Sequence, residues 1–139
     1  MAQIKTILEK IKADGHRLTK VRKAMVQILV SQGCLLTALD IQQKLKKLQA
    51  KADRSTVYRE LCFLLEEKII RKIQLGDDKT YYEISTGHHH HLICNKCNKV
   101  QKIVIGEPLK TQEKKINQKE KFKVLSHSLE FYGLCRKCR

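Results

Sequence analysis

The chain has 139 residues, 42% of them hydrophobic, which allows one domain or two small ones. No apolar run approaches the ~20 residues that cross a bilayer, and the opening Met1-Ala2-Gln3-Ile4-Lys5 lacks a signal-peptide core. Neither a membrane nor a secreted protein is expected, and the expected compartment is the cytoplasm. Lys plus Arg number 29 against 14 Asp plus Glu, a formal net charge of +15 with an isoelectric point near 9.7, so a polyanionic partner is expected.

Residues 4–13 place Ile4, Ile7, Leu8 and Ile11 at helical spacing, and Gly15 ends that helix. Thr19 is placed to cap a second helix with Val21, Ala24, Met25, Ile28 and Leu29 on its apolar side, and Gly33 stops it. Thr37-Ala38-Leu39-Asp40 has the spacing of a capping box, with Asp in place of Glu. It opens a third helix that turns Ile41, Leu45 and Leu48 inward. A fourth helix, from about Ser55 to Lys68, buries Val57, Leu61, Leu64 and Leu65. Its first turns carry Ser55, Thr56, Tyr58 and Arg59, most of them pointing out. Cys62, inside an apolar stretch, reads as a core thiol.

The period then changes to two. Residues 69–75 and 79–84 alternate as strands, joined by Gly76-Asp77-Asp78. Short helices followed by such a wing describe a winged helix-turn-helix, in which a late helix enters the major groove of DNA. The competing reading is a helical bundle with a solvated charged face. Beyond Thr86-Gly87, residues 89–93 and 99–105 read as strands flanking a Cys94/Cys97 turn. Pro108 starts a helix that reaches about Lys121. Residues 122–134 alternate as a third strand and return to Cys135. The second half is therefore a small α/β unit, and the whole chain is α+β.

Two Cys-x-x-Cys pairs, Cys94/Cys97 and Cys135/Cys138, supply four thiolates, enough for a closed tetrahedral zinc site. Strand, helix and strand fit between them and would return the second turn to the first. Just upstream stand His88, His89, His90 and His91. In an extended segment His88 and His90 face one way and His89 and His91 the other. Two further sites could therefore draw on them, with Glu83 a short loop away as an oxygen donor. Imidazole plus carboxylate suits Zn, Fe(II), Mn, Co or Ni.

Arg17-Leu18-Thr19-x-x-Arg22, Thr37-Ala38-x-Asp40-Ile41, Ser55-Thr56-Val57-Tyr58-Arg59-Glu60-Leu61, Tyr82-Glu83, His88 through Cys97, His127-Ser128-Leu129-Glu130, and Tyr132-Gly133-Leu134-Cys135-x-x-Cys138 together carry a resemblance over nearly the whole chain. It is similar to the ferric uptake regulator family of metal-responsive repressors. The resemblance implies a homodimer on a double-stranded DNA operator, with a winged helix over 1–84 and an α/β dimerisation domain over 85–139. It implies structural Zn2+ on Cys94, Cys97, Cys135 and Cys138, and a regulatory divalent metal on Glu83, His89 and His91. A further site would use His88, His90 and His127. It implies Tyr58 and Arg59 as groove readers, beside Ser55 and Thr56, and Arg17 near the minor groove. The function implied is metal-dependent repression of metal-uptake or homeostasis genes. Fe2+ is the favoured regulatory ion, with Zn2+ or Mn2+ and a zinc-uptake or peroxide-responsive regulator as alternatives.

The chain departs from the family pattern at several positions. Leu35, beside Cys34, stands where many relatives place a histidine ligand. Lys102 and Lys110 stand near family glutamates, with Glu107 and Glu113 as replacements for the latter. Lys20 and Val21 replace a Pro-containing start to the second helix, and Asn98 replaces a glycine. Two rivals come from other classes. A metalloenzyme with Glu83 as general base lacks a nucleophile motif or a glycine-rich phosphate loop. A zinc-stabilised RNA-binding or scaffold protein has only three Phe and four Tyr for stacking.

Overall fold

The helical periods of the first half close around one apolar core, and the second half builds its own sheet. A computed structural model describes residues 2–32, 35–75, 77–85, 89–106, 108–125, 127 and 129–139. The chain divides into two compact units, Met1–Thr86 and Gly87–Arg139.

In the first unit the order is α1 (Ala2–Ala13), α2 (Lys20–Gln32), β1 (Leu36–Thr37), α3 (Ala38–Lys47), α4 (Arg54–Glu66), β2 (Ile70–Gln74) and β3 (Thr80–Ile84). Gly15 ends α1 at φ 85°, a conformation only glycine adopts without strain. The Thr19 hydroxyl accepts from Arg22 N–H at 3.1 Å, so it caps α2 as expected. At the start of α3 both halves of the capping box form. Asp40 N–H donates to Thr37 Oγ1 and Thr37 N–H donates to Asp40 Oδ2, at 3.2 and 3.0 Å. The shorter Asp thus closes the box as Glu does. Ile11, Met25, Ile41, Leu45, Leu61 and Leu64 are each 1% exposed or less, and each contributes roughly 1.5–3 kcal/mol by leaving water. The sheet order is β1-β3-β2, all antiparallel, so a two-residue strand that periodicity cannot detect completes the wing.

Two expectations fail here. Cys62 is exposed, not core. It lies four residues after Tyr58, on the outward stripe of α4, while Val57, Leu61 and Leu64 form the inward one. Leu48 is also exposed, at 42%, because α3 ends at Lys47 and Leu48 only caps it.

The second unit runs β4 (His90–Cys94), β5 (Val100–Ile103), α5 (Pro108–Glu120) and β6 (Glu130–Gly133). Its sheet order is β5-β4-β6, antiparallel on one side of β4 and parallel on the other. The return strand is therefore only the four residues that pair with β4, rather than the whole of 122–134. Asn98 takes φ 60° just after Cys97, filling the position expected to need a left-handed residue.

Candidate metal centres and nucleic-acid interface

The start of α4 is set by Asp53, whose carboxylate accepts from Thr56 N–H at 2.8 Å. Hydrogen bonds from the side chain and backbone of Thr56 hold that carboxyl below its ordinary range. The helix therefore begins one residue earlier than expected, at Arg54. Ser55, Tyr58 and Arg59 are exposed on its outer face, and Thr56 is half-buried. Arg59 donates to Thr56 Oγ1 at 3.3 Å, and the Arg54 guanidinium lies 5.6 Å from the Tyr58 ring centre. Arg54 escapes a reading by apolar periodicity. The signal for it is the i, i+4 spacing to Tyr58.

Arg17 is exposed in the loop before α2, and its carbonyl is tied down. Arg22 donates to it at 2.8 Å and also holds Glu60 of α4 through two bonds of 2.8 and 3.1 Å. The same guanidinium covers the Phe63 ring at 3.7 Å, and His16 meets that ring edge-on at 4.8 Å. One arginine thus fixes the Arg17 loop against α4.

In the second unit β4 is the hub. Its last residue, Cys94, pairs with Gly133 on β6, two residues before Cys135. Two tight turns then face each other. Asn98 N–H reaches Cys94 O at 2.9 Å, and Cys138 N–H reaches Cys135 O at 2.9 Å. The sulfur atoms of Cys94, Cys97, Cys135 and Cys138 all lie within 4.8 Å of one another. Cys97 and Cys135 sulfurs are 3.7 Å apart, against the roughly 3.8 Å edge of a tetrahedron with zinc–sulfur bonds near 2.3 Å. Backbone N–H groups of Cys97 and Cys135 pull the Cys94 thiol down to about 6. Hydrogen bonding to Cys135 pushes Cys138 up to about 12 and lowers Cys135. Four sulfurs this close, with an edge near that of a zinc–sulfur tetrahedron, fit a doubly charged thiophilic ion.

The imidazoles alternate as expected. His89 and His91 meet edge to face, ring centres 5.0 Å apart. His90 stacks on His127 at 5.5 Å, with its Nε2 sealed from solvent. His127 Nδ1 is hydrogen-bonded to Glu113 Oε1 on α5, so Glu113 comes to this cluster. His88, Cys34 and Glu107 lie outside the described residues. Lys102 is the cross-strand partner of His91, on the same face. Leu35 is buried apolar packing.

In the first unit Glu83 is 2% exposed and accepts from Arg71 Nε at 2.7 Å. Arg71 went unread in the sequence, although 71 and 83 are symmetric about the hairpin turn and pair in register.

These features define a class: a winged-helix unit followed by a small unit with clustered metal-ligand side chains. The ferric uptake regulator family model matches residues 13–132, and the chain belongs to that family, one of metal-responsive, dimeric, DNA-binding transcription regulators rather than enzymes. It is 32% identical to the ferric uptake regulation protein of Bacillus subtilis over 98% of this chain and 94% of that protein. To the peroxide operon regulator of the same organism it is 31% identical, covering 98% and 93%. Among solved structures it is similar to the ferric uptake regulator of Helicobacter pylori, with a TM-score of 0.78 and 28% identity over 97% of this chain and 93% of that one. Among the described residues no helix is long and apolar enough to cross a membrane.

Proposed function

We propose that the chain is a homodimeric repressor that binds a double-stranded operator when a regulatory divalent metal is bound, and that it controls metal-uptake or metal-homeostasis genes from the cytoplasm. The observation that carries this reading is the make-up of β4, which bears imidazoles on both faces and ends in a cysteine of the four-sulfur cluster.

Cys94, Cys97, Cys135 and Cys138 would hold structural Zn2+, which supplies the charge that joins two otherwise repelling pairs of thiolates. Glu83, His89 and His91 would hold the regulatory ion, and the chain between them keeps the Cα atoms of Glu83 and His89 within about 20 Å. Two imidazole nitrogens and one carboxylate oxygen suit Fe2+, Mn2+ and Zn2+ alike, and Fe2+ is favoured here on the likeness to ferric uptake regulators. Glu83 would offer a carboxylate oxygen to that ion beside its bond to Arg71, so the ion would add a second charge partner on the wing strand. His90, His127 and Glu113, with His88, would form the further site. This agrees with the Helicobacter pylori regulator, described as having three functional metal binding sites.

On DNA, Tyr58 and Arg59 would reach base edges, with Ser55 and Thr56 beside them, and Arg17 would contact the backbone near the minor groove. The exposed Phe131, Tyr132 and Leu134 of the second unit supply apolar surface for a second copy.

The test begins with duplexes selected from a random pool by metal-loaded protein. Fluorescence anisotropy should show tighter binding on adding Fe2+ or Mn2+ to protein that keeps its zinc. Tyr58→Ala with Arg59→Ala should abolish preference for the selected duplex while sedimentation still reports a dimer. Affinity indifferent to every divalent ion, or preference retained by the double variant, overturns the reading.

A further inference from the structure

The two cysteine turns carry a charge pattern that metal binding does not use. Lys96 lies between Cys94 and Cys97, Lys99 two residues beyond, Arg136 and Lys137 between Cys135 and Cys138, and Arg139 just after. All five are exposed. Since the four sulfurs lie within 4.8 Å of one another, five cations are gathered around one small cluster, each within two residues of a clustered cysteine. No acidic residue occurs in 94–106 or 131–139. Among the described residues none of the five makes an ion pair with a carboxylate.

Two explanations compete. The cations could offset the thiolates: four sulfurs around a doubly charged ion leave two negative charges. Five exposed cations exceed that by three. The lysines of α5 make a useful contrast, since Glu113 and Glu120 interrupt them. An uninterrupted, exposed cluster of Lys and Arg matches a row of phosphates, and its arginines can take phosphate oxygens in pairs.

We infer that the paired cysteine turns form a second, sequence-independent contact surface for the phosphate backbone of duplex DNA, separate from the groove-reading α4. The contribution of this surface is affinity, through release of counterions from the duplex. The inference rests on the chain being a DNA-binding regulator but not on which residues read bases, so it is tested on DNA of random sequence.

The decisive measurement is the slope of log affinity against log salt for a random duplex, taken with the intact zinc-loaded protein. Replacing Lys96, Lys99, Arg136 and Lys137 by Gln should flatten the slope by about one to four units, since each lost phosphate contact removes about 0.9. At about 100 mM salt, affinity should fall about tenfold or more. A matched control replaces Lys114, Lys115, Lys119 and Lys123 by Gln, an equal loss of charge, and should change the slope less. Metal analysis checks that zinc is retained. If the fourfold variant loses it, the pair Lys99→Gln and Arg139→Gln, outside both cysteine loops, reads the same slope with a fall of about one to two units. An unchanged slope overturns the inference. So does an equal effect in the matched control. Failure of the base-reading model appears elsewhere, as a selected-duplex preference that survives Tyr58→Ala with Arg59→Ala.

Discussion

Arg22 shows how one side chain can tie a loop and a helix together. It reaches Glu60, Phe63 and the Arg17 carbonyl from one guanidinium, and its ion pair is mostly buried, at 14% and 15% exposure. Glu60→Gln keeps the shape but removes the charge, leaving the guanidinium half satisfied. The expected cost is about 2 kcal/mol in urea unfolding, together with weaker duplex binding as the Arg17 loop loosens. Wild-type stability in that variant would sink the argument. Such partners were not legible in the sequence, because Arg22 and Glu60 stand 38 positions apart and no local period links them. Glu83 was legible as a candidate ligand, but its hold on Arg71 needed the hairpin register. The cysteines were legible because their spacing itself encodes the turn.

At the scale of elements, what could be read was what the backbone repeats. The inward stripes of α1 to α4, the capping box of α3 and the two-sided histidine strand all follow from periods of 3.6 or 2. Element ends were less legible, because they depend on caps and pairing partners. Asp53 set the true start of α4, and the described residues of 122–129 remain outside the sheet because β6 pairs with β4 only from Glu130. The Asp53 cap has a pH signature. Its carboxyl is more acidic folded than unfolded, so its stabilisation is complete above the unfolded value of about 3.9 and disappears as pH falls through the lower folded value. Asn at this position also caps but does not titrate. The stability difference between wild type and Asp53→Asn should thus stay constant from about pH 5 to 8 and shrink below, as followed by circular dichroism during urea unfolding. A difference that grows on acidification would contradict it.

The whole molecule is unequal in its means of cohesion. Every residue of the large buried cluster belongs to the first unit. In the second, the buried side chains among the described residues are Ile93, Cys94, His90 and His91, while Phe122, Leu125, Phe131, Tyr132 and Leu134 are exposed. So small a core is stabilised by a metal clip or by a partner copy. Chelation, or Cys94→Ser, should therefore expose residues 89–139 to proteolysis and fast amide exchange while residues 2–85 stay protected, as mass spectrometry would reveal. Simultaneous loss of protection in both units would refute this. On this reading, a chain made during zinc shortage has a finished groove reader but no twin. If the proposed function holds, one winged helix would grip one half-site too weakly to block a promoter, and scarcity of the structural ion would silence the regulator before any sensory ion is consulted.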